Sequence, residues 1–194
     1  DNILIGCKAG CGSSSGGSYN IVMGSSAAMG LTGTGSVIIG REAVWLGTGG
    51  GCNVILGQAA GYQNNGDRNI FRGHYSGGKN TSGDQNIFLG RRAGCDNTSG
   101  CYNIAIGCEV NVSSATTSCE LAIGVSSNHW IDGDSSFNVC LAGSAVTMTS
   151  GTTSCVIAHK FCGDGSCLTG ISAGGFSMDA VSYTHLRAHE TRLN

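Results

Sequence analysis

Apolar and polar positions follow one short, fixed cycle along this chain. A five-residue unit, Asn-Ile-x-Ile-Gly or a near variant, recurs about every 17 residues. Clear copies occupy 2–6, 20–24, 36–40, 53–57, 69–73, 86–90, 103–107 and 120–124. Two degenerate copies follow at 138–142 and 154–158. Each unit is a short run of β-branched and other apolar residues closed by a turn residue, which predicts a strand. A repeat this short cannot bury its apolar face alone, so it must stack on its neighbours as one coil of a solenoid. The expected fold is all-β: a parallel β-solenoid, or β-roll, of about ten coils over residues 1–158.

The five columns of the unit have distinct duties. Column one is Asn in seven of the ten copies, including Asn53, Asn69, Asn86 and Asn103. Stacked coils would place these amides in a ladder, each bonding to the next rung. Column five is Gly in eight copies, among them Gly57, Gly90 and Gly107. Gly there serves a positive φ or a close backbone approach at a corner. Three residues later comes a small residue (Ala9, Ala27, Ala43, Ala60, Ser76, Ala93), which lets the opposite wall of the coil come near the strand.

Columns two and four point to one side of the strand, and column three to the other. Both sides are apolar in nearly every copy: Val54 and Leu56 flank Ile55, and Ile87 and Leu89 flank Phe88. A lone solenoid has one interior, so one set must face out. Ten rungs at ~4.8 Å each would make an outward apolar stripe roughly 45 Å long, more than a soluble monomer tolerates. Identical chains side by side are the simplest cover; a loop or flanking domain is the alternative. Arg72 interrupts column four, which marks a register change, a solvated edge or a paired charge.

Composition agrees with this reading. Only 11% of residues are charged, Gly is 34 of 194 and Pro is absent. Such a chain makes its polar surface from Ser, Thr, Asn and Gly in tight turns rather than from charged helices. A net charge of −2 offers no electrostatic case for nucleic acid or an anionic membrane. No apolar run reaches membrane-spanning length. The repeat is already running at Asn2, and the chain reads as an internal part of something longer.

The motif Asn-Ile-x-Ile-Gly-x-x-Ala-Gly resembles the head repeats of trimeric autotransporter adhesins. Asn53-Val54-Ile55-Leu56-Gly57-Gln58-Ala59-Ala60-Gly61 and Asn86-Ile87-Phe88-Leu89-Gly90-Arg91-Arg92-Ala93-Gly94 carry the likeness. Related repeats, often rich in Cys, occur in fibre-like proteins of tailed phages. The resemblance implies a left-handed roll assembled as a homotrimer that projects and binds a cell-surface receptor, glycan or protein. The longer period and the many cysteines favour the phage-type relative. So does Phe161-Cys162-Gly163-Asp164-Gly165-Ser166-Cys167-Leu168-Thr169-Gly170-Ile171, which resembles a linker of tail-fibre proteins and defines residues 159–180 as a separate segment. The implied place is the virion tail, or alternatively a bacterial surface. Residues 181–194 are different again. Val181 to Thr191 resemble a translated sequencing adapter, so this tail is set aside as non-native and dispensable.

Little in the chain suggests catalysis, a cofactor or a metal. Of the eleven cysteines none forms Cys-x-x-Cys. Cys101 and Cys119 fall on adjacent coils and are the first candidates for a disulfide; Cys162 and Cys167, flanking a tight turn, are the second. The other reading is that most cysteines are free thiols filling small-residue sites, as Cys140 and Cys155 do in core columns. Asp132-Gly133-Asp134 lacks the further acids of a calcium loop and reads as a turn. His74, His129 and His159 have no fixed partner spacing. A glycan-cleaving tail spike would need two carboxylates on one face, and acids are sparse in the repeats. An ice-binding face would need Thr-x-Thr in successive coils. The expectation is a non-enzymatic structural and adhesive fibre segment.

Overall fold

The computed structural model describes residues 1–12 and 17–141. These contain no helix. Ten strands form one sheet in sequence order: β1 Ile3–Ile5, β2 Ile21–Met23, β3 Val37–Ile39, β4 Val54–Leu56, β5 Ile70–Arg72, β6 Ile87–Leu89, β7 Ile104–Ile106, β8 Leu121–Val125, β9 Asn128–Gly133 and β10 Val139–Leu141. From β1 to β8 every pairing is parallel and every column is in register, so that Ile38, Ile55, Phe71 and Phe88 lie one above another. This is a β-solenoid, one strand per coil.

Two expectations are corrected here. The described solenoid has about seven turns rather than ten, and its sheet does not stay parallel. β9 pairs antiparallel with β8 and β10 antiparallel with β9. The departure begins at Gly124. Column-five Gly6, Gly24, Gly40, Gly57, Gly73, Gly90 and Gly107 all have φ between +130° and +144°. Gly124 has no left-handed φ, so the corner is not made. The chain runs on to Val125 and reverses through Ser126 (φ +52°) and Ser127. Residues 139–141 of the degenerate copy therefore join the sheet through a hairpin and not as a further coil. The copy at 154–158, the segment 159–180 and the tail 181–194 lie outside the described residues.

Column three fills the coil. Val22, Ile38, Ile55, Phe71, Phe88, Ala105 and Ala122 are all buried, while Leu4 in the first coil is exposed. Phe71 and Phe88 stack with centroids 5.2 Å apart and planes 5° from parallel. The opposite wall compensates for their size. A methyl on Gly77 would meet the Phe71 ring at 2.6 Å, and one on Gly94 would meet Phe88 at 2.4 Å. Where column three is the smaller Val22 or Ile38, the wall carries Ala28 or Val44, both buried. Where it shrinks to Ala105, Val110 takes the place of the usual small residue. Large column-three rings thus face glycine and the smallest column-three side chains face larger wall residues, as close packing favours.

The corner glycines satisfy both demands expected of them. A methyl on Gly57 would lie 2.6 Å from the carbonyl oxygen of Gly73, and one on Gly90 would lie 2.1 Å from that of Gly107. Gly57→Ala should therefore cost at least ~2 kcal/mol, strain and clash together. Gly30 has φ +84° but open space around it, so Gly30→Ala should cost only the conformational term, about 1 kcal/mol. Urea unfolding of the two variants checks this; equal losses would contradict the close approach.

Candidate functional site

With column three inside, columns two and four face outward. Ile3, Ile5, Ile21, Ile39, Val54 and Ile70 are exposed, and the remaining apolar members from Met23 to Ile123 are half-buried. On β1 to β8 the only outward side chain that is not apolar is Arg72. Eight rungs at ~4.8 Å spacing make the stripe roughly 34 Å long. Arg72 does not disturb the register, since it aligns with Leu56 and Leu89. It is exposed and forms no ion pair or side-chain hydrogen bond among the described residues.

The coil interior is closed at one end by asparagine. Each column-one amide bonds forward to the next coil, as expected, and its partner is mainly backbone. Asn53 Oδ1 accepts from the Asn69 N–H (2.7 Å), Asn69 Oδ1 from Asn86 N–H (2.8 Å), and Asn86 Oδ1 from Asn103 N–H (2.9 Å). The same amides donate through Nδ2 to carbonyls of the next turn: Asn69 to Gly83 (2.9 Å), Asn86 to Gly100 (2.8 Å), Asn103 to Thr117 (2.7 Å). All of these asparagines are buried, and no buried side-chain polar atom among the described residues lacks a partner.

Two more side-chain columns escaped the sequence reading. Asn64, Asn80 and Asn97 form a second buried ladder, amide to amide, at 2.7 and 2.8 Å. Their spacing is in phase with the repeat, but asparagine in a Gly-rich stretch reads first as turn chemistry. Asp67, Asp84, Cys101 and Ser118 form a third. Each accepts a backbone N–H from the coil before it: Gly51 to Asp67 (2.6 Å), Asp67 to Asp84 (2.8 Å), Asp84 to Cys101 Sγ (3.3 Å), Cys101 to Ser118 (2.9 Å). Different residue types share one role here, so no single-letter pattern betrays it.

Cys101 thus stands as an acceptor in that column. Cys119 lies one coil on, its N–H donating to the Cys101 carbonyl at 2.9 Å. Both thiols are free, as are Cys7, Cys11, Cys52, Cys95, Cys108 and Cys140; of these only Cys95 is buried. Cys140, expected in a core column, is exposed because its strand follows the hairpin. Cys155, Cys162 and Cys167 lie outside the described residues.

A cavity of about 610 Å³ opens beside the hairpin, lined by Val112, Leu121, Ala122 and Val139 with Glu109, Glu120, Asp132 and Asp134. Each acid is engaged. Glu120 accepts from the N–H and hydroxyl of Ser113 at 2.7 and 2.5 Å. Glu109 pairs with Arg91 at 2.5 Å. Asp132 meets His129 Nδ1 at 2.5 Å, while His129 Nε2 faces the Ser126 carbonyl at 3.0 Å. Asp134 accepts from Ser136 and Asn138, and the bonds from Asn138 hold its carboxyl below the usual range. The acidic pair around Gly133 is therefore turn and hairpin chemistry. No group of three His, Cys, Asp or Glu among the described residues could hold a metal.

A second surface lies on the segment after the corner. Tyr62 and Tyr75 have centroids 6.0 Å apart, Arg92 sits 6.0 Å from the Tyr75 centroid, and His74 flanks the same ring. Tyr75 lies over Gly78, where a methyl would meet the ring at 2.5 Å. Trp45, half-buried, occupies the place of Tyr62 one coil earlier. Among the described residues no helix is long and apolar enough to cross a membrane. Compared with protein-family models, curated proteins and solved structures, the chain matches none.

The ladder should be the most sensitive polar element. Asn69→Ala leaves the buried Asn86 N–H without an acceptor and should cost about 2–4 kcal/mol, the missing bond plus the void. Asn65→Ala, which removes an exposed acceptor of the Thr48 N–H, should cost about 1 kcal/mol or less. Denaturant midpoints separate the two.

Proposed function

We propose that this chain is a segment of a non-enzymatic, homotrimeric fibre: the shaft of a phage tail fibre or tail spike that carries receptor-binding surface. The observation that carries the proposal is the outward stripe of columns two and four. Apart from Met23 and Arg72 its residues are branched aliphatics, in unbroken register, and so large an apolar face marks a surface that is covered. A closed cyclic assembly covers the same stripe on every copy, and a stack of identical coils presents a straight, self-complementary surface for it. Fifteen-odd apolar side chains at ~1 kcal/mol each, short of simple additivity, would hold such an assembly strongly. The number three rests on the likeness of the Asn-Ile-x-Ile-Gly-x-x-Ala-Gly units to adhesin heads. That likeness also leaves a bacterial surface adhesin as a second home for the same assembly.

The ladders suit a load-bearing role. In the middle of the stack, across residues 64–103, each coil is tied to the next by backbone bonds and by three side-chain columns, so this part resists bending and local opening together. The surface at Trp45, Tyr62 and Tyr75, rimmed by His74 and Arg92, is the first place to seek receptor contact, since aromatic residues and Arg dominate recognition surfaces.

Light scattering after size exclusion tests the assembly. The wild-type chain should run as a trimer at micromolar concentration. Val54→Asp with Ile87→Asp should give a folded but smaller or sticky species, because these side chains face out. Ile55→Asp should instead prevent folding, because burying that carboxylate in the coil costs several kcal/mol. A well-behaved wild-type monomer would refute the proposal.

A further inference from the structure

Arg72 is the one charged side chain on a face that the fibre reading buries. We propose that Arg72 and its symmetry copies form an anion site on the assembly axis that takes a small oxyanion, phosphate or sulfate in size and charge. This inference rests on the fibre reading above.

Apolar side chains surround the Arg72 guanidinium on this face. Its neighbours on the outward face are Ile70 on its own rung, Val54 and Leu56 on the rung before, and Ile87 and Leu89 on the rung after. None can pair with a charge. Copies related by an axis along the stack present the same residue at the same height, so Arg72 meets Arg72. A desolvated guanidinium without a counter-charge is strongly unfavourable, and several together add mutual repulsion.

Among the described residues no carboxylate pairs with Arg72. Asp67 and Asp84, on the turns leading into β5 and β6, spend an oxygen each on the backbone column described above. Glu42 pairs with Arg41, Asp96 with Lys79 and Glu109 with Arg91. A counter-charge taken from solution would balance the guanidinium. Arg is the side chain suited to it, because its planar fork of N–H donors fits two oxygens of one oxyanion. On the single chain Arg72, Gly73, Leu89 and Gly90 line a shallow surface groove.

The test uses the full chain dialysed free of phosphate and sulfate. Thermal melts are recorded against added sodium phosphate, sodium sulfate and sodium chloride at matched ionic strength, with light scattering at each condition. The expected result is a saturable rise of several degrees in Tm with phosphate or sulfate, well beyond that with chloride, and one anion per assembly by calorimetric titration. Arg72→Leu should melt higher than wild type in the anion-free buffer and lose the anion response. An assembled wild type whose Tm does not distinguish oxyanion from chloride would overturn the site and leave the fibre reading standing. An unassembled wild type would overturn both. If Arg72→Leu aggregates, the wild-type titration alone decides.

Discussion

The structure depends on one constraint, the distance between successive coils. Backbone N–H and C=O groups pair from coil to coil at nearly every position, from Ile3 bonding Asn20 to Ser126 bonding Cys108. That spacing dictates the side chains. It requires glycine at the corner, where a methyl at Gly107 would lie 1.8 Å from the Gly124 carbonyl oxygen. It allows asparagine at column one, whose amide is just long enough to accept from one coil and donate to its next turn. It also fixes the interior volume, so that Phe71 and Phe88 must face Gly77 and Gly94. Where the corner fails, at Gly124, the solenoid gives way to a hairpin.

The fold was legible because the repeat displays these demands directly. A glycine every 17 residues with an asparagine four residues before it leaves few alternatives to stacked coils. What could not be read was which side of the strand faces in. Columns two, three and four are all apolar, so hydrophobicity alone is silent. The structure decides it: column three packs inside against the small residues of the opposite wall, such as Ala27, Ala43 and Ala60, while columns two and four stay at the surface. The left-handed corners were also hidden. Arg68, Gln85, Tyr102 and Cys119 all take φ near +60°, as do Arg92 and Glu109 at the other corner. These are residues that rarely adopt it, held there by the rungs above and below. The hairpin was hidden for the opposite reason, because Gly124 preserves the motif while its backbone does not make the turn.

The candidate site was legible in outline, with one detail left open. An outward apolar face follows from the two-sided strand whichever way it turns. The structure assigns that face to Val54, Ile70 and Ile87 rather than to Ile55 and Phe88. It also shows Arg72 exposed with no break in register and no ion pair among the described residues, which leaves the solvated edge of the three readings the sequence allowed. The cysteines divide by place more than by type: Cys101 joins a polar column, Cys95 is buried, and Cys7, Cys11, Cys52 and Cys140 are exposed.

The central claim is that the stripe of columns two and four is covered by other copies of the chain. Carbene footprinting with residue-level mass spectrometry measures this without changing the protein. In a single chain Val54 and Ile70 are 38% and 40% exposed, while Tyr19 and Tyr102, at the corner before the strand, are 74% and 57% exposed. The account predicts that Val54, Ile70 and their neighbours on the stripe are nearly unlabelled at micromolar concentration, while Tyr19 and Tyr102 are labelled freely. Labelling of Val54 and Ile70 in proportion to their single-chain exposure would contradict it.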